Sequence, residues 1–263
     1  MSTSHIALIT GASSGIGAVY ADRLAARGYD LILVARREDR LQALAADITR
    51  THGRQVHIVV ADLVNPDDLA RVEHLLASNP AISVLVNNAG LARLHALAQS
   101  TVADSLTQIT LNITALTRLT HAALPGMLAR NAGTIINVAS ILGLHALPVS
   151  AVYSGTKSFV LTFSRGLQTE LAGTGVKVQA VLPSATATEI WDASGIPLSA
   201  LEQEKVMTTE HLVDAALAGL DQGESITLPS VADAELWTTY DTARVALFAA
   251  TQTGKPAPRY GLA

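Results

Sequence analysis

Apolar residues arrive in seven short bursts, at 5–10, 30–35, 55–61, 82–87, 134–140, 176–182 and 225–229. Most are apolar on consecutive positions rather than alternating, the pattern of strands covered on both faces of a parallel sheet. Between them lie stretches of helical period. Residues 19–27 put Val19, Leu24 and Ala25 on one side, and 38–51 put Leu41, Leu44, Ala45 and Ile48 on one face. Residues 67–77, 101–130, 151–172 and 209–222 follow suit. Strand and helix alternate throughout, which predicts right-handed crossovers and helices on both sides of one sheet. Residues 184–207, with Pro197 and small polar side chains, break the rhythm as an inserted loop with a short helix. A last helix is expected over 233–251 and a tail over 254–263. No linker or shift in composition divides the chain, so one domain over 1–263 is expected.

Composition narrows the class. Hydrophobic residues make up 49% and charged ones 15%, which excludes a disordered chain. Aromatics are only 4%, so the core must be aliphatic, and the net charge of -4 without a basic patch speaks against nucleic-acid binding. With no cysteine, thiolate catalysis and cysteine-held metals drop out. The stretch 131–156 carries no charge, but Asn131, Gly133, Asn137, Gly143 and Pro148 are too many breakers and polar groups for a membrane span. Residues 1–9 lack the cationic and apolar segments of a secretory signal. A soluble cytoplasmic protein is the expectation.

Three places carry chemistry. The first burst ends in Thr10-Gly11-Ala12-Ser13-Ser14-Gly15-Ile16-Gly17, and a helix follows at once. Such a bend lets backbone N–H groups approach a pyrophosphate at a helix N-terminus. An ordinary turn is the plainer alternative, but its place after the first strand favours dinucleotide binding. The second burst ends in Ala35-Arg36-Arg37, with no acid to meet ribose hydroxyls and two guanidiniums suited to a 2′-phosphate. That favours NADP(H) over NAD(H). Asp62, after the third burst, either caps a turn or meets the adenine amino group. Finally, Tyr153 and Lys157 lie four apart on a helix and share a face, with Ser140 thirteen residues earlier at a strand end. A nearby ammonium and a cationic nicotinamide would both favour the phenolate, and moving a phenol from about 10 to about 7 takes ~4 kcal/mol.

With these residues assembled, the chain resembles the short-chain dehydrogenase/reductase family, in its single-domain form of roughly 250 residues. The matching residues are Thr10 to Gly17, Asn87-Asn88-Ala89-Gly90, Asn112, Ser140, and Tyr153 with Lys157, in the expected order over most of the chain. The resemblance implies a Rossmann-type, doubly wound α/β sandwich with a seven-stranded parallel sheet and a bound nicotinamide dinucleotide. It implies that Tyr153 exchanges a proton with the substrate oxygen and that Ser140 orients that oxygen. Lys157 would hold the nicotinamide ribose and lower the Tyr153 pKa, while Asn112 would hold a relay water. Cofactor contacts would come from Gly11, Ser13, Ser14, Gly15, Ile16, Gly17, Arg36, Arg37, Asp62, Leu63, Asn88, Ala89, Gly90, Tyr153, Lys157, Pro183 and Thr188. No metal is implied.

The family usually has Pro-Gly after the sixth strand, and here Pro183 is followed by Ser184. If that position needs φ > 0, a side chain there would crowd the nicotinamide face. If the backbone is ordinary, Ser184 borders the substrate pocket. Substrate contacts are expected from Ser140, Leu142, Tyr153, Ser184 and Trp191. His145 either lines the mouth or is a structural or solvated histidine. Leu91, Leu94, Ile141, Leu144, Leu147, Ile190 and Ile196 supply an apolar lining that suits a ketone, an aldehyde or a secondary alcohol. The resemblance also implies a homodimer or homotetramer, with the long helices 101–130 and 151–172 as candidate contact surfaces. The main alternative is a non-catalytic dinucleotide-binding regulator. Epimerases and dehydratases of the related, longer kind have a different glycine spacing and a larger C-terminal region.

Overall fold

A computed structural model describes residues 5–262. The readings at 1–4 and at Ala263 lie outside the described residues. The chain divides into two compact units, Met1–Ser230 and Val231–Ala263.

The first unit holds seven parallel strands, β1 (Ile6–Thr10), β2 (Asp30–Ala35), β3 (Val56–Val60), β4 (Ile82–Asn87), β5 (Gly133–Val138), β6 (Val176–Val181) and β7 (Ile226–Thr227). Their order across the sheet is β3-β2-β1-β4-β5-β6-β7. Helices α1 (Gly15–Ala26), α2 (Glu38–His52) and α7 (Thr209–Asp221) contribute to the apolar core on one face. The other face is covered by α3 (Pro66–Ser78), α5 (Leu116–Ala129) and α6 (Ala151–Glu170). The consecutive apolar runs now have a cause. Ala7, Ile9, Leu31 and Leu33 enter the first core while Leu8, Ile32 and Val34 enter the second. From the second residue on, every position of β1 and β2 is buried, so the usual alternation is lost.

One element departs from expectation. The single helix read over 101–130 is three pieces: α4 (Val102–Ile109), a π-helical segment (Thr110–Ala115) and α5. The π segment admits an extra residue per turn without breaking the rod. It falls on Asn112, which is buried.

The loop expected at 184–207 is closed at its base. Ala187 N donates to Met207 O and Met207 N to Ala185 O, both at 2.9 Å, around a parallel bridge between Thr186 and Met207. The second unit contains α8 (Glu235–Ala250) and a short turn at Pro258–Tyr260. No residue of α8 is buried, and Leu236, Leu247 and Phe248 are each more than 60% exposed. Among the described residues, no helix is long and apolar enough to cross a membrane.

Candidate active site

The order of the sheet reverses between β1 and β4, and the carboxyl ends of strands at such a point open a crevice. Here a cleft of about 700 Å³ runs from Arg36 and Arg37, past Asp62 and Asn88–Gly90, to Ser140 and Tyr153.

The glycine bend forms its floor. Gly11 has φ +66°, and a Cβ on Gly17 would stand 2.3 Å from the Gly11 carbonyl oxygen. No side chain fits there, so the start of α1 packs against the bend. Thr10 ties the two halves of the sheet together. Its hydroxyl donates to Val86 O at 3.2 Å and accepts from Asn88 N and Ala89 N, both at 3.0 Å. Asn88 in turn donates to Thr10 O at 3.0 Å. Ser13, Ser14, Gly15, Ile16, Leu63, Ala89 and Gly90 all line the cleft; Gly17 lies behind the wall. Arg37 donates to Ser14 Oγ at 2.7 Å and to Ser13 Oγ at 3.0 Å, so a guanidinium and two hydroxyls meet at one end. Asp62 Oδ1 accepts from Val64 N at 3.1 Å, the turn-capping role, while Asp62 also lines the cleft.

At the other end, α6 carries Tyr153 and Lys157, both buried. Lys157 Nζ donates to Val138 O at 2.9 Å and lies 5.8 Å from the centroid of the Tyr153 ring. The Tyr153 phenol hydrogen-bonds with Ser140. Ser140 Oγ also accepts from Leu142 N at 3.1 Å, which caps the short turn that follows β5. Asn112 accepts from Leu91 N and donates to Leu91 O, both at 2.9 Å, and donates to Thr156 Oγ1 at 3.0 Å. It stands behind the cleft wall, holding the loop at Leu91, which follows β4, against α6.

The expected lowering of the phenol needs a cationic nicotinamide as well as Lys157, and the chain alone supplies only the second. Burial pushes the Tyr153 phenol up to about 12, against a smaller downward pull from its Ser140 hydrogen bond. Burial also lowers the Lys157 ammonium to about 8. The chain's own charges therefore do not make an acidic phenol. Lys157 gives its hydrogen bond to a backbone carbonyl, and burial is the largest influence on the phenol.

Of the expected substrate contacts, Leu142, Ser184 and Trp191 line the cleft, and Trp191 Nε1 donates to Thr186 O at 2.7 Å. Among the described residues the positive-φ non-glycine residue is Asn131, so Ser184 has an ordinary backbone and borders the pocket without strain. His145 is exposed and lies outside the wall, the solvated alternative. Pro183 and Thr188 are both in the wall. Sequence reasoning missed Thr107 and Leu111, which reach the cleft from α4 and the π segment. It also missed Arg40 and Glu189, whose carboxylate both Arg37 and Arg40 bind. Arg40 lies three residues beyond Arg37 on the first turn of α2, a spacing that could have marked it.

The residues present fit a phosphorylated dinucleotide: a bend that no side chain can fill, a helix start, and an arginine between two hydroxyls. The family model described as short chain dehydrogenase matches residues 5–196. A solved short-chain dehydrogenase from Sphingobium yanoikuyae, in complex with NADPH, is 45% identical, with a TM-score of 0.93 over 96% of this chain and 98% of that one. The bulky-bulky ketone specific alcohol dehydrogenase from Comamonas testosteroni is 38% identical, with a TM-score of 0.90 over 98% of this chain and 99% of that one. Sulfoacetaldehyde reductase 2 of Chromohalobacter salexigens is 41% identical over 71% of this chain and 74% of its own length. The very-long-chain 3-oxoacyl-CoA reductase of Anas platyrhynchos is 36% identical over 70% of this chain, a match spanning 60% of that protein.

Proposed function

The chain belongs to the short-chain dehydrogenase family, and on that premise we propose that it interconverts an apolar ketone or aldehyde and the matching alcohol with NADP(H). The observation that carries this reading is the wall facing the Ser140–Tyr153 pair. Leu94, Leu142, Leu147, Ile190 and Trp191 enclose it, and Lys157 is the cation at that end among the described lining residues. A sulfonate or a coenzyme A phosphate would need further cations there. An uncharged, bulky carbonyl would not.

When bound, the dinucleotide supplies or accepts the hydride and, in its oxidised form, a positive charge. The chain's residues manage the proton and the oxygen. With its phenol held near 12, Tyr153 remains protonated through neutral pH and can hand a proton to a carbonyl oxygen as charge gathers there. The Ser140 hydroxyl is a second donor in reach of the same oxygen. In the oxidative direction Tyr153 must first lose its proton, which burial opposes. Lys157 favours that loss as a buried positive charge on the same helix face. Asn112 fixes the backbone behind the pair.

The preference for NADP(H) rests on Arg37 between Ser13 and Ser14, with Arg36 beside it in the wall. A single functional domain is also part of this proposal, because a unit of fewer than about 40 residues rarely builds a core of its own. So are self-association and a cytoplasmic location. The test is NADPH oxidation against a panel of bulky ketones, small aldehydes and sulfoacetaldehyde. Turnover of bulky ketones is expected, lost by a factor of about 10³ in Tyr153→Phe. Arg36→Ala with Arg37→Ala is expected to raise the KM for NADPH far more than that for NADH. Cofactor binding with no turnover of any carbonyl, and no change in Tyr153→Phe, would favour the regulator instead.

A further inference from the structure

The arginine end of the cleft also holds an anion that the chain supplies itself. Arg37 Nη1 donates to Glu189 Oε2 at 2.6 Å, and Arg40 Nη1 donates to Oε1 of the same carboxylate. The two guanidiniums sit at the start of α2, whereas Glu189 lies about 150 residues along the chain. It opens the short helical turn Glu189–Ala193, just after Thr188 and inside the loop 184–207. Hydrogen bonds from Arg40 and Arg37 hold its carboxyl down at about 2, so it is ionised at any working pH. Two residues further on, Trp191 forms part of the apolar wall facing Tyr153.

A carboxylate shared between two guanidiniums occupies the donors that a phosphate monoester uses. The two anions repel, so they are rivals for one set of donors. The side chains of Arg37, Arg40 and Glu189 are all about 40% or more exposed, and exposed ion pairs break cheaply. We propose that Glu189 is a specificity-determining residue that competes with the cofactor 2′-phosphate for Arg37 and Arg40, so that phosphate binding at one end of the cleft releases the turn bearing Trp191 at the other. This inference rests on the NADP(H) reading above. It makes the substrate wall responsive to which dinucleotide is present, because a cofactor without the 2′-phosphate leaves the carboxylate in place.

The experiment uses the full chain and two fragments that differ in the 2′-phosphate alone, 2′,5′-ADP and 5′-AMP. Binding is measured by calorimetry at low salt, and Trp191 emission is followed in a Trp237→Phe background. Glu189→Gln is expected to bind 2′,5′-ADP about tenfold more tightly, with 5′-AMP unchanged within twofold. In the parent, 2′,5′-ADP shifts the Trp191 emission and 5′-AMP does not. In Glu189→Gln the emission lies at the shifted position before any ligand is added. Equal or weaker binding of 2′,5′-ADP by Glu189→Gln, with the parent still preferring 2′,5′-ADP to 5′-AMP, overturns the competition and leaves the NADP(H) reading standing. Equal affinity of the parent for both fragments overturns that reading, and the inference with it.

Discussion

At the scale of the residue, the site is a compromise between burial and charge. Lys157 is 5% exposed and sits well below its ordinary 10.5, at about 8. Between those values the unfolded chain binds more protons than the folded one, so this group's contribution to stability rises as pH climbs from about 8 to 10.5. At pH 7 it is a net cost. Lys157→Met is therefore expected to stabilise the fold at pH 7 by roughly 1–3 kcal/mol, after the lost bond to Val138 is set against the relief of burial. The gain should fade on approaching pH 10.5, as measured by urea unfolding across that range. The same variant should move the alkaline rise of alcohol oxidation upward, because Tyr153 then loses a nearby cation. A Tm that falls at pH 7, or an oxidation profile that stays in place, would remove Lys157 from this account.

At the scale of the element, the π segment at Thr110–Ala115 explains how one side chain is aimed. Deleting the exposed Thr114 should return the stretch to plain α-helix and rotate Asn112 away from Leu91 and Thr156. An error of about 1 Å at such a site can cost 10²-fold in turnover. The deletion is therefore expected to lower kcat by about that factor while far-UV circular dichroism is unchanged. The segment was invisible in the sequence, because Leu106, Ile109, Leu116 and Leu119 keep a helical period on either side of it. The strands were legible for the opposite reason. Burial on both faces writes a consecutive apolar run, and all seven runs lie within two residues of the observed ends. The glycine bend and the Tyr153–Lys157 spacing were legible because local geometry fixes them. The clasp of Arg37 and Arg40 on Glu189 was not, since a pairing across about 150 residues leaves no periodic trace. Nor could the sequence show how strongly burial raises the Tyr153 phenol.

At the scale of the whole molecule, surface is the informative quantity. On α4, Val102 is 75% exposed and Leu106 is 56% exposed, an apolar patch that a second copy of the chain would cover. Sedimentation equilibrium at micromolar concentration is expected to report a dimer or larger species. Val102→Lys with Leu106→Lys is expected to shift it toward monomer. A monomeric parent would show that this apolar patch stays wet.

The clamp between Thr186 and Met207 has a consequence for how such a protein can change. It brings the two ends of a twenty-residue excursion to one spot on the scaffold, so the intervening sequence can be exchanged as a cassette while β6 and α7 stay where they are. Grafting that cassette from a relative would move the choice of molecule and leave the proton donor untouched. Selectivity and chemistry can then drift on separate evolutionary clocks.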